Sequence, residues 1–242
     1  MPNKRVLVLG GTSDANVLAR ELLKSGFDVV TSFAGVTENP VLPEGEIRVG
    51  GFGGEDGLHD YLKAEGFMAL ADATHPFAPQ ISRHGFNAAG RAGIPYLRLE
   101  RAAWTPLPAD TWISVADTEA AVAALPEAAR VLLTIGRKEI AAFLARADLS
   151  GAARMIEKPP FELPPKWALV LARAPFSVEA ERELLVLHKI THLVSKNAGG
   201  KLTVAKLIAA RGLRLPVVMI ERPQKPAVQA FGSAPALVAA LG

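Results

Sequence analysis

The sequence contains no cysteine among its 242 residues. This absence excludes disulfide bonds, thiolate metal ligands and cysteine nucleophiles. Long hydrophobic runs are also missing, since none approaches the roughly 18 residues that a membrane-spanning helix needs. A run of only four apolar residues precedes the first glycine pair, which is shorter than the core of a signal peptide. We therefore expect a cytoplasmic protein that does not associate with membranes.

An excess of one charge sign is nearly absent as well. The 27 Lys and Arg residues and 24 Asp and Glu residues leave a formal net charge of +3, and the cations are scattered. Because a dispersed excess of this size forms no basic patch, we expect no nucleic-acid partner. Ordinary surface variation accounts for this small positive charge, and so does a small acidic ligand. Apolar residues make up 50% of the chain, which is enough to build the core of one large domain or two small ones.

Short strands and amphipathic helices alternate along the first hundred residues. The predicted strands are rich in valine, leucine and isoleucine, as in parallel sheets that are covered on both faces. These strands span residues 5–9, 28–33, 46–50, 68–72 and 95–99, and the predicted helices span 15–25, 57–64 and 80–92. Such alternation predicts right-handed βαβ units.

Residues 100–110 interrupt the alternation with an extended, proline-rich run. Beyond it, predicted strands cover 111–115, 130–135, 153–156, 168–172, 192–194 and 217–220, and helices cover 117–125, 138–147, 177–187, 202–211 and 235–241. We therefore predict an α/β fold of two consecutive Rossmann-like domains, residues 1–100 and 101–242, with mainly parallel sheets. Ligands of such folds bind outside the carboxyl ends of strands, so we expect the site in an inter-domain cleft.

A glycine turn joins the first predicted strand to the first helix and reads Gly10-Gly11-Thr12-Ser13-Asp14. The N-terminus of a helix presents unpaired N–H groups and the positive end of the helix dipole, which together attract phosphate. The run departs from the G-x-G-x-x-G pattern, since alanine stands where the third glycine is expected. It therefore predicts either a dinucleotide site or a plain turn that Thr12 or Ser13 caps.

The end of the second predicted strand bears on the choice of cofactor. NAD sites carry an acidic residue about 20 positions after the glycine turn. Here that region reads Thr31-Ser32, and small hydroxyl residues would not repel a 2′-phosphate. If the site binds a dinucleotide, the sequence favours NADP over NAD.

Two strand ends in the second half carry further candidate phosphate-binding turns. One contains Thr134, Gly136, Arg137 and Lys138, and a solvated surface turn is the alternative interpretation. The other contains Lys196, Asn197, Gly199, Gly200 and Lys201. Its spacing differs from a Walker A motif, but a plain loop rarely needs an amide, two glycines and two lysines together. A third glycine-rich segment, residues 50–54, is interpreted as a flexible loop or a lid.

The segment Asp72-Ala73-Thr74-His75-Pro76-Phe77-Ala78 follows the fourth predicted strand. His75 could donate a proton near neutral pH, with Asp72 or Thr74 orienting the ring. Alternatively, Asp72 and Thr74 cap the next helix and His75 is structural. No histidine pair has a carboxylate partner at a suitable spacing, so we predict no metal site.

Several of these segments together resemble the precorrin-6A reductase family of cobalamin biosynthesis. The resemblance rests on residues 8–14, 50–54, 72–78, 195–200, 203–207 and 216–223, and it spans nearly the whole chain. The Asp-Ala-Thr-His-Pro and Lys-Asn-Ala-Gly-Gly segments are its most specific parts. It implies an NADPH-dependent reduction of one carbon–carbon double bond in an acidic tetrapyrrole, with the cofactor between two α/β domains.

The resemblance implies a role for each group of candidate residues. The turns at Gly10–Asp14 and Asn197–Lys201 are expected to bind the cofactor, with Thr31, Ser32, Arg137 and Lys138 near its phosphates. His75 or Lys201 is the candidate proton donor. Cations expected to bind the substrate carboxylates, or else to be solvated, are Arg83, Arg98, Arg101, Lys196, Lys201 and Arg222.

Two rival functions remain open. One is a cofactor-free tetrapyrrole lyase or cyclase, and the other is a non-enzymatic nucleotide-binding module. A monomer or a homodimer is expected in each case.

Overall fold

The computed structural model describes residues 4–35 and 41–242, and the chain forms two compact units. The first unit combines Met1–Ala102 with Pro223–Gly242, and the second unit is Ala103–Arg222. Among the described residues, no helix is both long enough and apolar enough to cross a bilayer.

The helices and strands follow the predicted alternation closely. The first part of the chain contains β1 (Arg5–Leu9), α1 (Ser13–Lys24), β2 (Asp28–Phe33), β3 (Glu46–Val49), α2 (Glu55–Ala64), β4 (Ala69–Asp72), α3 (Pro79–Ala92) and β5 (Tyr96–Leu99). The second part contains β6 (Trp112–Val115), α4 (Thr118–Ala123), β7 (Arg130–Thr134), α5 (Ile140–Leu144), β8 (Ser150–Met155), β9 (Trp167–Leu171), α6 (Val178–Leu187), β10 (His192–Lys196), α7 (Ala205–Gly212) and β11 (Val217–Ile220). The chain closes with β12 (Ala230–Phe231) and α8 (Ala234–Ala239).

β1 lies inside the first sheet, whose order is β12-β5-β4-β1-β2-β3 with parallel neighbours throughout. Successive residues of β1 point to opposite faces, as strand geometry requires. Val6 and Val8 pack with residues of α1 and α8, whereas Leu7 and Leu9 pack with residues of α2 and α3. Helices thus cover both faces, which explains the uninterrupted apolar sequence of the strand.

β7 has the corresponding place in the second sheet, whose order is β6-β11-β10-β7-β8-β9, again parallel throughout. Its Leu132 shares one core cluster with Leu193 of β10 and Met219 of β11, and with Leu185 and Leu207 of α6 and α7. The predicted fold class, two Rossmann-like α/β domains with parallel sheets, is confirmed.

The sixth strand of the first sheet comes from a part of the chain that the sequence did not assign to it. β6 follows the first sheet in sequence but pairs with β11, and β12 follows the second sheet but pairs with β5. The Glu100 N–H donates to the Phe231 carbonyl at 2.9 Å beside this second pairing. The observed units place residues 101–102 and 223–242 in the first unit, whereas the prediction divides the chain at residue 100. A two-residue strand has no period-2 pattern from which its partner can be identified.

Two helices of the second unit begin later than the apolar pattern predicts. α5 begins at Ile140 instead of residue 138, and α7 begins at Ala205 instead of residue 202. Neither has a side-chain cap, because Glu139 and Val204 at the N-cap positions make no capping hydrogen bond. The glycine turns before both helices are therefore longer than predicted.

Candidate functional site

The turn after β1 is anchored at the N-terminus of α1 by Thr12. The Thr12 Oγ1 accepts the Ala15 N–H at 3.0 Å and donates to the Ala73 carbonyl at 2.7 Å, which ties the turn to the end of β4. Gly11 has φ +98°, and among the described residues no atom beyond its chain neighbours lies within 4 Å of the position that a Cβ would take there. In the part of the chain that the structure describes, no side chain covers this face of the turn, and phosphate oxygens occupy faces of this kind.

Gly10 serves close packing between β1 and β2. A Cβ at Gly10 would lie 2.8 Å from the Thr31 Cγ2 and 3.2 Å from the Ser32 carbonyl oxygen, which accepts the Gly10 N–H at 2.9 Å. Thr31 and Ser32 lie within β2, which ends at Phe33, and both side chains are buried. No described residue pairs with the Thr31 hydroxyl. The two hydroxyl residues thus support the turn from within the sheet.

Asp14, in the first turn of α1, accepts a hydrogen bond from the Arg101 guanidinium at 2.6 Å. Arg98 forms an ion pair with Glu100 at 3.0 Å and donates to the Pro226 carbonyl. Two of the cations expected to bind an acidic substrate thus have carboxylate partners in the first unit, whereas Arg83 is exposed.

Asp72 is a fully buried carboxylate at the end of β4. Its Oδ1 accepts the Thr74 N–H at 2.9 Å and the Thr74 hydroxyl at 2.6 Å, and its Oδ2 accepts the Tyr96 hydroxyl at 2.7 Å. Burial and the nearby Asp72 charge raise the pKa of Tyr96 far above its ordinary value, so the phenol stays protonated and donates. Neither Asp72 nor Thr74 caps α3, whose N-cap Ala78 makes no side-chain hydrogen bond.

His75 lies half-buried in the turn that this network supports. Its Nδ1 accepts the Phe77 N–H at 3.2 Å, so the proton of the neutral imidazole is on Nε2. The His75 carbonyl accepts the Ala78 N–H at 2.9 Å and the Lys225 Nζ–H at 3.3 Å. The turn therefore presents the Nε2–H of the neutral His75 ring as a hydrogen-bond donor.

In the second unit, the turn between β7 and α5 is less constrained by side chains. The Thr134 hydroxyl donates to the Val194 carbonyl at 2.9 Å, which joins the ends of β7 and β10. Gly136 has φ +90°, the Arg137 guanidinium lies 3.8 Å from Glu157, and Lys138 is exposed. These residues present positive charge beside a glycine at the carboxyl end of β7.

The bend after β10, residues 197–200, is built around a buried amide. The Asn197 Oδ1 accepts the Trp104 N–H at 2.9 Å, and its Nδ2 donates to the Trp104 carbonyl at 3.1 Å and to the Glu221 carboxylate at 3.3 Å. Both hydrogens of the amide are therefore used within the second unit. The Asn197 side chain is only 4% exposed, so burial without these partners would be costly.

Two further side chains hold the carbonyl groups of this bend. The Arg222 guanidinium donates to the Asn197 carbonyl at 2.9 Å and to the Ala198 carbonyl at 3.1 Å. The Trp104 indole N–H donates to the Gly200 carbonyl at 2.9 Å. Gly199 and Gly200 have φ of +71° and +81°, left-handed values that favour glycine.

The two lysines that flank the bend differ from each other. The Lys196 ammonium pairs with Glu139 at 2.6 Å, whereas the Lys201 side chain is exposed. The structure thus brings together Thr134–Lys138 and Lys196–Lys201, which follow the neighbouring strands β7 and β10, and it brings together Gly10–Asp14, Asp72 and His75 in the first unit. Among residues 4–35 and 41–242, no three His, Asp or Glu side chains converge as a metal site.

Arg48 organises the glycine-rich segment after β3. Its guanidinium donates to the Gly50 carbonyl at 2.7 Å and the Gly51 carbonyl at 3.0 Å, and it lies 3.9 Å from the Phe52 ring centroid. A Cβ at Gly57 would lie 1.7 Å from the Phe52 carbonyl oxygen, so this segment packs directly on α2. The segment is therefore held by specific contacts.

Sequence reasoning missed Tyr96, Trp104, Arg48 and Lys225. Their contacts join positions far apart in the chain, such as Trp104 with Asn197, so no local pattern marks them. For Tyr96 and Trp104, one signal was available in the sequence. The chain has only two tyrosines and three tryptophans, so each of these residues could have been considered individually.

Comparison with known proteins supports one family throughout. The family model described as precorrin-6x reductase CbiJ/CobK matches residues 5–241. The chain is 48% identical to the precorrin-6A reductase of Rhodobacter capsulatus, over 92% of this chain and 90% of that protein. It is 32% identical to the cobalt-precorrin-6A reductase of Priestia megaterium, over 90% and 91% of the two chains. The solved structure of CobK precorrin-6A reductase is 45% identical, with a TM-score of 0.93 over 98% of this chain and 96% of that one.

Proposed function

The chain belongs to the precorrin-6x reductase family, and from that premise we propose that it transfers a hydride from NADPH to one carbon–carbon double bond of precorrin-6A. As a family member it is an oxidoreductase of cobalamin biosynthesis. The observation that carries the proposal is the agreement along nearly the whole chain with relatives named precorrin-6A reductases. The product of that reduction is precorrin-6B.

We assign the cofactor's phosphates to the glycine turns at the carboxyl ends of the strands. NADPH supplies the hydride when bound. The open face at Gly11 and the N–H groups of α1 suit a pyrophosphate, while Thr12 holds the turn in place. Arg137 and Lys138 would add charge, and they suit a phosphate contact better than the buried Thr31 and Ser32.

The choice of NADPH over NADH rests on the residues at the carboxyl end of β2. The described residues directly after the last strand residue, Phe33, are Ala34 and Gly35, and neither carries a carboxylate that would accept the ribose hydroxyls of NAD. A 2′-phosphate would therefore meet no repulsion from these residues.

The proton that accompanies the hydride is assigned to His75. The Asp72 network holds the turn that carries the ring, and the imidazolium form of His75 would donate the proton. Lys201 is the second candidate because its ammonium is exposed at the edge of the second sheet. Each would act by presenting a proton beside the carbon next to the one that is reduced.

Cobalt-free precorrin-6A is favoured over its cobalt complex as substrate. The relatives named precorrin-6A reductase from Rhodobacter capsulatus and Rhodococcus erythropolis are 48% and 46% identical, whereas the Priestia megaterium relative named for the cobalt substrate is 32% identical. In either case an exposed cation such as Arg83 would meet one of the substrate's carboxylates.

Titration with NADPH and NADH, followed by nicotinamide fluorescence and by turnover of precorrin-6A, tests the proposal. We expect NADPH to bind about tenfold more tightly or better, a difference of ~1.4 kcal/mol. Gly11→Ala should weaken binding, since it strains a left-handed residue and fills the open face. Gly53→Ala is the matched control, because Gly53 has φ +79° and equally open surroundings in another loop.

The rival functions predict different results. No response to either nucleotide would favour a cofactor-free lyase or cyclase. Binding without turnover of precorrin-6A would favour a nucleotide-binding module. If Gly11→Ala and Gly53→Ala weakened NADPH binding equally, the assignment of a cofactor phosphate to the turn after β1 would be contradicted.

A further inference from the structure

One tyrosine hydroxyl holds half of the buried carboxylate beneath His75. The Asp72 Oδ1 accepts the Thr74 N–H at 2.9 Å and the Thr74 hydroxyl at 2.6 Å. The Asp72 Oδ2 accepts the Tyr96 hydroxyl at 2.7 Å, and among the described residues no other group donates to that oxygen. Because Asp72 is fully buried, loss of this donor would leave a carboxylate oxygen unpaired.

Tyr96 reaches this oxygen from β5, the strand next to β4. Its hydroxyl also lies 3.3 Å from the Ser82 carbonyl, but it has a single hydrogen, and the shorter distance makes Asp72 the main acceptor. Burial and the Asp72 charge raise the pKa of the phenol, so the hydroxyl keeps its proton and remains a donor. The ring packs edge-on against Phe86, with the centroids 5.7 Å apart, which fixes the place from which the hydroxyl donates.

The Asp72 carboxylate controls the backbone directly before His75. The last torsion of an aspartate side chain is broad, so its two oxygens keep separate directions only when both are held. Tyr96 holds Oδ2 and thereby determines where Oδ1 faces, and Oδ1 fixes the Thr74 peptide. On the other side of His75, the Phe77 N–H donates to Nδ1 at 3.2 Å. The imidazole therefore lies on a turn that is held from both sides.

We infer that Tyr96 is a positioning residue, which orients the His75 ring for proton donation through Asp72 and Thr74. The inference rests on the proposed function, in which His75 supplies the proton that accompanies the hydride. In this role Tyr96 contacts neither the cofactor nor the substrate.

The residue between Asp72 and Thr74 is held separately from this path. The Ala73 N–H donates to the Leu9 carbonyl at 3.0 Å, and its carbonyl accepts the Thr12 hydroxyl at 2.7 Å. Loss of the Tyr96 bond should therefore leave the turn after β1 in place. The expected consequence is a loss of catalytic rate with little change in cofactor binding.

The chain has two tyrosines, and the second provides a matched control. Tyr61 lies half-buried on α2 in the same unit, and its hydroxyl makes no hydrogen bond to another described residue. Its ring packs between Phe52 and Phe67 at centroid distances of 5.4 and 5.5 Å. Phenylalanine at either tyrosine position removes one oxygen and keeps the ring. The two substitutions therefore differ in the loss of the hydrogen bond to Asp72.

The experiment uses the full-length chain as wild type, Tyr96→Phe, Tyr61→Phe, His75→Ala and the double variant Tyr96→Phe/His75→Ala. Turnover of precorrin-6A gives kcat and the KM for NADPH. Nitrogen-15 NMR at pH 8, without ligand, reports which ring nitrogen of His75 carries the proton, and the signals that disappear in His75→Ala identify this ring. The second measurement does not depend on activity.

We expect Tyr96→Phe to lower kcat about tenfold, because the proton donor loses its alignment, with the KM for NADPH within twofold of wild type. Tyr61→Phe should stay within twofold in both quantities. In the His75→Ala background, Tyr96→Phe should change kcat less than twofold, because the residue through which it acts is absent. The His75 ring should show the Nε2–H tautomer in wild type and Tyr61→Phe, and a mixture of tautomers in Tyr96→Phe.

Several results would overturn the inference. These are an unchanged kcat in Tyr96→Phe, an equal loss in both tyrosine variants, and the same tenfold loss in the presence and absence of His75. A slower Tyr96→Phe with unchanged His75 signals would refute the inference alone. An unchanged kcat in His75→Ala would refute the proposed donor, and the inference with it.

A second variant keeps the test decisive if Tyr96→Phe does not fold. Thr74→Val removes the hydroxyl bond to Asp72 on the same path and preserves the shape of the side chain. It should lower kcat and alter the His75 signals as Tyr96→Phe is expected to do, and Thr74→Ser should restore both. A normal kcat in Thr74→Val would contradict the path from Tyr96 to His75.

Discussion

The two sheets of this protein have the same strand order, but they obtain their sixth strands differently. Counting from the central strand of each, β1-β2-β3 corresponds to β7-β8-β9, and β4-β5 corresponds to β10-β11. The first sheet is completed by β12 from the end of the chain, and the second by β6, which directly follows the first sheet. The second unit thus supplies all six of its strands from one continuous segment, whereas the first unit depends on a strand from the end of the chain.

The carboxyl ends of the two sheets also differ in how they are built. In the first unit, side chains dominate, since Asp72, Thr74 and Tyr96 form a buried network beneath His75. In the second unit, the backbone dominates, since Trp104 and Arg222 hold carbonyl groups of a glycine bend. The same fold thus presents a candidate proton donor in the first unit and a candidate phosphate-binding glycine turn in the second.

The substitution with the largest expected effect on stability tests whether the C-terminal helix α8 is part of the first unit. Leu237 of α8 is fully buried in the core cluster that contains Val6 and Val8 of β1. Leu237→Ala should destabilise the protein by about 3 kcal/mol, because it leaves a cavity in that cluster. Native-state hydrogen exchange should show the loss of protection in β1, β2, β4 and β5.

Leu185→Ala is the matched substitution for this comparison. Leu185 is equally buried in the core of the second unit, and the loss of protection should then lie in β7, β10 and β11. If Leu237→Ala reduced protection mainly in the second sheet, the assignment of α8 to the first unit would be contradicted.

The next largest effect is expected on kcat, and it tests whether His75 in the first unit donates the proton. His75→Ala should lower kcat for precorrin-6A about 100-fold, the lower end of what a general acid contributes. That loss corresponds to ~2.7 kcal/mol, and the KM for NADPH should change less than twofold. Steady-state kinetics measures both, with His84→Ala on α3 as the control.

Lys201→Ala distinguishes the two candidate donors. If the ammonium supplies the proton, kcat falls in this variant and is retained in His75→Ala. Retention of near-normal kcat in both variants would mean that another group or water supplies the proton.

The smallest effect compares helix caps in the two units. Thr12→Ala removes the cap of α1 and the bond to the Ala73 carbonyl, so we expect a loss of about 1–2 kcal/mol in the free energy of unfolding. Ser177→Ala removes only the cap of α6, which accepts the Ala180 N–H at 3.1 Å, and should cost about half as much. Urea denaturation measures both, and Thr12→Ser should restore most of the loss. Equal losses in the two alanine variants would show that the link to Ala73 adds no stability.

Much of the fold could be predicted from local sequence patterns. β1, β2 and β11 have the predicted bounds, because buried parallel strands leave uninterrupted apolar runs. The late starts of α5 and α7 were not predicted, because apolar spacing continues through residues that form turns. The candidate site was predicted as a set of strand ends. The partners of its side chains were not, because Asp72 meets Tyr96 and Asn197 meets Trp104 only once distant segments pack.

By itself, the sequence determined the alternation of elements, the parallel sheets and the glycine turns at the strand ends, since each follows from the spacing of nearby residues. The tertiary structure decided that β12 joins the first sheet, and that the Asn197 amide holds Trp104. The physical reason is that strand pairing and the burial of polar groups depend on partners brought together by folding, and a sequence pattern reports only on neighbours along the chain.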